Sequence, residues 1–304
     1  MKSKTIAASV CRISSGRQKR FKTLASRPRA QHGVGLIELM IGITIGLLTV
    51  AVAMGALMVS RGVSGTVSDA SQLQQQAAYA FRVISLQLRQ AGSLRLNPAP
   101  QKTLSSSVTV DIADPVAFET KVEGFDPATD TLGGKDAPGT GEFKLTMGYR
   151  NYKDALYAFA ADESLQRNCL GETNSSTLIQ SKFVLDTTQN TLRCAGSGAA
   201  QPFAENVANF QVRYLLQDAA SAPGNPQIRY VSATDVGTDW RRVEGVEVCL
   251  VLYGFESINM PTGSSYTDCD GSTAVDLTTL TGARARRMHR VFRNVYQLRS
   301  QGLI

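Results

Sequence analysis

The sequence predicts an α+β protein, a long N-terminal helix laid against an antiparallel β-sheet domain. The apolar run from Val34 to Val59 is 26 residues long, more than the ~20 needed to cross a ~30 Å hydrocarbon core. Beyond Arg61, apolar residues continue at helical spacing to Ala91. After Pro98 and Pro100 the chain changes to short β-prone runs separated by turn signals.

Glu38 is the one charge in the apolar run. Gly42, Gly46 and Gly55 interrupt it, and small residues at such positions let helices approach closely or weaken the helix locally. In the continuation, Val67 and Ala70, Ala77, Phe81 and Ile84, and Leu88 and Ala91 form one stripe, with Gln and Ser on the opposite side. This pattern predicts an amphipathic half that packs on the domain and is capped by Gly92. The division is 1–33 as a leader, 34–60 as the membrane segment, 61–92 as the amphipathic helix and 93–304 as a β-rich globular domain.

Candidate strands are 108–112, 116–122, 143–149, 155–160, 182–186, 210–216, 243–255 and 290–298. Asp126-Pro127, Gly133-Gly134, Pro138-Gly139 and Pro223-Gly224 read as turns between them. No second helical pattern of 10 to 15 residues alternates with these strands, so an antiparallel sheet is the expectation.

With 304 residues, 43% hydrophobic and 19% charged, the chain has ordinary globular composition. The formal net charge of +7 is unevenly placed. Residues 1–33 hold nine basic side chains and no Asp or Glu, which leaves 23 basic against 25 acidic residues elsewhere. The basic character thus belongs to the N-terminal segment, and the positive-inside rule places that end in the cytoplasm and the domain in the periplasm.

Of five cysteines, Cys11 lies in the leader. Cys169, Cys194, Cys249 and Cys269 lack the C-x-x-C pairs of zinc sites, so two disulfides in an oxidising compartment are the simpler account. Three connectivities are possible. Each short-range pair closes a loop of roughly 20 to 25 residues, worth about 3 kcal/mol, which favours Cys169 with Cys194 and Cys249 with Cys269.

A secretory signal has its cleavage site after the apolar stretch, whereas here the small residue Gly33 precedes it. The run Gly33-Val34-Gly35-Leu36-Ile37-Glu38-Leu39-Met40 resembles the signal of type IV prepilins. That resemblance implies cleavage after Gly33 by a prepilin peptidase, N-methylation of Val34, and a Glu38 carboxylate paired with the mature amine of an adjacent subunit. An ionised carboxylate among Leu, Ile and Met costs several kcal/mol unless it finds such a partner, or else stays hydrated or protonated at the membrane face.

Phe203–Tyr214, Trp240–Leu250 and Arg290–Arg299 are similar to segments of minor pilins of the PilW kind. The implied protein is a minor pilin: anchored in the inner membrane, joined with other minor pilins in a complex that primes assembly, and carried to the pilus tip. Its partners would be those minor pilins, the major pilin and a tip adhesin. A pseudopilin of a type II secretion system, most like its J subunit, shares these features. A single-pass membrane protein with a periplasmic binding domain is the third reading.

Catalytic and metal chemistry find few residues. His32 in the leader and His289 are the two histidines, which argues against a Ser-His or Cys-His enzyme. Gly133-Gly134-Lys135-Asp136 lacks the spacing of a phosphate loop and reads as a turn, and no cofactor motif is present. Asp126 with Asp130, and Asp268 with Asp270, suit turn capping better than calcium. Arg284, Arg286, Arg287, Arg290, Arg293 and Arg299 read as a solvated or subunit-contacting face of a final strand, not as a nucleic-acid site.

Overall fold

The computed structural model describes residues 33–97, 117–118, 124–154, 162–218 and 227–298. Two compact units divide the chain, Met1–Ala56 and Leu57–Ile304. Helix α1 (Leu36–Gln90) contributes to both.

The second unit is built on two antiparallel sheets. In chain order its elements are β1 (Leu96–Asn97), β2 (Ala117–Phe118), the one-turn helix α2 (Pro127–Asp130), β3 (Leu132–Gly133), β4 (Leu145–Arg150), β5 (Leu178–Asp186), β6 (Thr191–Ala195), β7 (Gln201–Ala204), β8 (Val207–Asp218), β9 (Gln227–Val231), the one-turn helix α3 (Ala233–Val236), β10 (Val243–Tyr253), β11 (Ser265–Thr267), β12 (Ala274–Asp276) and β13 (His289–Gln297). One sheet has the order β3-β4-β5-β6-β7 and the other β13-β10-β8-β9, with β1-β2 and β11-β12 as two-stranded ribbons. The fold class is α+β, a long helix packed on antiparallel sheet.

The helix is part of the core rather than an attachment to it. Leu73, Ala77, Ala80, Ile84, Leu88 and Ala91 recur every three or four residues and are buried against Leu145, Phe183, Phe210, Val248 and Leu250 of both sheets. The stripe therefore runs through Leu73 and Ala80, whereas Val67, which the apolar spacing had placed on it, is 64% exposed. Periodicity counts apolar residues, and here the buried face begins with a carboxylate. Asp69 is 2% exposed and accepts N–H bonds from Phe255 (3.3 Å) and Glu256 (2.9 Å), where β10 leaves the sheet. A side chain on Gly254 would collide with that carboxylate, so the pairing of glycine and aspartate lets the loop close on the helix.

At the other end Gly92 takes φ +69°, the left-handed cap that glycine adopts without a Cβ penalty. Its N–H bonds to the Gly148 carbonyl at 2.8 Å, tying the helix end to β4. Gly148 must itself lack a side chain, because a Cβ there would strike the Asp130 carbonyl.

Sequence boundaries shift as burial dictates. β5 begins at Leu178 rather than Lys182, and β8 spans Val207–Asp218 with alternating burial. β6, β7 and β9 were not expected, because Thr, Arg, Gln and Pro dilute their apolar pattern. Asp126-Pro127 opens α2, with the Asp126 carboxylate capping the Ala128 N–H at 2.9 Å and Pro127 at the first helical position. Expected strands 108–112 and 155–160, and the Pro223-Gly224 turn, lie outside the described residues, as does most of 116–122.

The turn Gly133-Gly134-Lys135-Asp136 performs a structural task. Asp136 accepts from the Ala233 N–H at 3.0 Å and the Thr234 N–H at 2.8 Å, linking the five-stranded sheet to the start of α3. These bonds, the Thr234 hydroxyl's among them, hold its carboxyl below the usual range although burial pushes the other way.

Cys169 is joined to Cys194 with Cα atoms 6.4 Å apart, and Cys249 to Cys269 at 5.7 Å. The second bridge holds the β11–β12 ribbon region over one end of the outward face of β10. There His289 lies between Tyr266 (5.3 Å, interplanar angle 9°) and Tyr253 (5.6 Å, 30°). Its Nδ1 faces the Arg287 carbonyl at 2.9 Å and Arg284 lies beside Nε2. Burial, with the Arg284 charge, pushes its pKa from 6.5 down to about 4, against the opposing pull of the Arg287 carbonyl.

Two outcomes follow from these contacts. Asp69→Ala leaves the Phe255 and Glu256 N–H groups without their acceptor, and urea denaturation should show a loss of about 1–3 kcal/mol. Between pH 6.5 and 4 the unfolded chain takes up the His289 proton and the folded chain does not, so stability falls as pH is lowered through that window and levels off below it. The urea midpoint measured across that range should fall less steeply in His289→Gln.

Candidate processing and assembly site

The N-terminal unit is described from Gly33. Gly33, Val34 and Gly35 are exposed and outside the helix, which starts at Leu36. The Glu38 and Leu39 N–H groups both bond the Gly35 carbonyl, at 3.0 and 3.1 Å, so Gly35 supplies the acceptor that opens the first turn. The Gly33–Val34 bond is thus exposed and outside the helix.

Glu38 sits in the first turn, where the unpaired N–H groups and the helix dipole favour a negative charge. Following the helix at four-residue steps, Gly42 and Gly46 share its face. A side chain on either glycine would meet nothing within 4 Å, so their smallness serves no contact within the described chain. Thr44 and Thr49 return their hydroxyls to the Ile41 and Gly46 carbonyls (2.9 and 2.8 Å), so both hydroxyls are satisfied by their own helix.

The remaining surface is apolar and uncovered. Leu36 is 78% exposed and Ile41 53%, and the other Leu, Ile, Val and Met side chains through Val59 fall in the same open range. Among the described residues this is the one helix long and apolar enough to cross a membrane.

The other candidate residues serve the domain. Asp126 and Asp130 close α2, with the Asp126 N–H donating to Asp130 at 2.8 Å. Asp268 accepts from Asn209 at 2.9 Å, and Asp270 from the Ser272 and Thr273 N–H groups at 2.9 Å each. Arg287 donates to the Gly254 carbonyl at 3.0 Å and Arg293 to the Cys269 carbonyl at 2.8 Å; Arg299 lies outside the described residues. Sequence reasoning passed over two features: Asp69, and Glu247, which is buried between arginines of neighbouring strands. A carboxylate inside the otherwise apolar run Val246–Tyr253 was the available signal for the second.

Comparison with known proteins agrees with this geometry. Residues 28–54 match the prokaryotic N-terminal methylation motif. Residues 171–300 match the model of type IV pilus-assembly protein W, the PilW family. A type IV-like pilin from Thermus thermophilus resembles the chain at 14% identity over 76% of this chain and 98% of that one, with a TM-score of 0.33. Comparison with curated proteins returns no significant match.

A methylation motif leading into an uncovered apolar helix, whose continuation is the core of an α+β domain, defines a type IV pilin-like protein. With residues 171–300 matching the PilW model as well, these matches support a type IV minor pilin of the PilW family. Such proteins are structural rather than enzymatic. The motif implies processing by a prepilin peptidase and assembly with other pilins, and the apolar helix fits anchoring in the inner membrane.

Proposed function

We propose that this minor pilin is cut between Gly33 and Val34, methylated on Val34, and held in the inner membrane by residues 34–60 with its domain in the periplasm. It then joins other minor pilins in a complex that primes assembly of the major pilin and sits at the pilus tip, where it adjoins a tip adhesin. The observation that carries this reading is the division of labour along α1: the half after Leu73 is buried in its own domain, whereas the half before Val59 exposes an apolar surface bearing a single carboxylate.

That surface requires a non-aqueous neighbour. In the membrane lipid supplies it; in an assembly, the equivalent helices of other subunits do. Glu38 then sets register, because a carboxylate leaving water costs several kcal/mol and is stabilised by the Val34 amine of an adjacent subunit. Methylation keeps that amine cationic. The two disulfides suit an oxidising periplasm and the cell surface.

The test is a mass measurement with a variant. The mature chain should begin at N-methylated Val34, and Glu38→Ala should be processed to the same N-terminus yet recovered in sheared pili at a level at least roughly tenfold lower, as loss of a desolvated charge pair implies. Cleavage at another bond contradicts the processing site, and undiminished incorporation contradicts the charge pairing.

A further inference from the structure

The sheet β13-β10-β8-β9 has one face on the core and one facing outward. On the outward face the β11–β12 region covers the end carrying Cys249, Val251 and His289. The other end is open, and it holds one more guanidinium than its buried carboxylate needs.

Glu247, at the centre of β10, is opposite Arg213 on β8 and Val295 on β13. Its side chain is only 6% exposed, so the carboxylate needs a cation. Arg213 meets that need alone, donating from Nε at 2.9 Å and Nη2 at 2.7 Å to the same oxygen. Arg293 nevertheless brings a second guanidinium, with Nε 3.8 Å from that oxygen.

Among the described residues neither arginine pairs with another carboxylate, so the cluster carries one surplus positive charge. Asp268, the next carboxylate on this face, is already held by Asn209 and the Cys269 N–H. Both guanidinium side chains are 35% exposed, and their Nη1 groups donate to no described residue.

Around this charge stand apolar side chains open to solvent. Tyr230 is 50% exposed and its ring lies 5.1 Å from the Arg213 guanidinium. Ile228 is 57% exposed and Val295 44%. Arginine and tyrosine framed by apolar groups are the composition of a protein-binding hot spot. A nucleic-acid backbone would call for basic residues spread over a surface, not one surplus charge in an apolar frame.

We infer that the outward face around Arg213, Glu247, Arg293 and Tyr230 docks a carboxylate-bearing segment of a neighbouring pilin subunit. The inference rests on the minor-pilin reading for the source of that segment, and on charge complementarity for its chemistry. The incoming carboxylate takes the open Nη1 donors of Arg213 and Arg293, while Tyr230, Ile228 and Val295 exclude water around it.

Photo-cross-linking of the full chain in piliated cells tests this. One photoreactive residue replaces Ile228 and, in a separate chain, one replaces Ile43 in the apolar half of α1. Position 228 should cross-link to another pilin at a segment containing Asp or Glu. Tyr230→Glu places a carboxylate beside Arg213 and should reduce that cross-link by roughly tenfold or more, the scale of like-charge juxtaposition, whereas Tyr230→Phe should retain it. The urea midpoint of Tyr230→Glu should match the parent, since the position is half exposed.

Cross-linking from 43 to pilins without any from 228 overturns the docking face. So does a 228 cross-link indifferent to Tyr230→Glu, or one to an acid-free segment, lipid or nucleic acid. Failure at both positions overturns the minor-pilin reading, and the inference with it.

Discussion

The constraint on which this molecule depends is that one helix must be buried along its whole length, yet its own domain buries only part of it. From Leu73 to Ala91 the apolar face of α1 lies against both sheets. From Leu36 to Val59 every apolar side chain is open. At about 25 cal/mol per Å² of apolar surface, such a stretch strongly favours any arrangement that removes it from water. Lipid and neighbouring helices are the two surroundings that do so, and the choice between them is the difference between a stored subunit and an assembled one.

The domain half of the helix has to be fixed firmly for the other half to act as a handle. Three contacts do this. Asp69 captures the chain as it leaves β10, Gly92 binds the β4 backbone, and Leu73, Ile84 and Leu88 fill the space between the sheets. Two glycines, Gly254 and Gly148, are required because each leaves room for the partner group. The disulfides secure parts that the core covers least: Cys169 ties a loop to β6, and Cys269 ties the ribbon region to β10. The same β10 carries core residues on one face and Glu247 on the other, so the surface proposed for docking is built on the most buried strand of the domain.

Much of this was legible in the sequence, and where it was not the reason is physical. The long apolar helix, its end and the long strands β8, β10 and β13 could be read because each has a sustained pattern and a recognisable stop, such as Gly92 after Gln90. The cysteine pairs in the structure are the short-range ones that loop closure favours. β6, β7 and β9 escaped notice because they are sustained by pairing with stronger neighbours rather than by their own composition. Asp69 and Glu247 escaped because a buried carboxylate makes sense only beside the N–H groups or arginines that the fold brings from 34 or more residues away. Val67 was placed on the packed stripe because it is apolar, and its exposure shows that the fully buried face of the helix begins at Asp69.

The central claim, that the apolar half of α1 exchanges lipid for protein, is tested most directly by a spin label at position 43 with power saturation by oxygen and by a nickel chelate. In membranes holding the processed chain the label should be accessible to oxygen and closed to nickel. In sheared filaments it should be closed to both. Accessibility to nickel in either setting would mean that water reaches the helix, and would contradict the account.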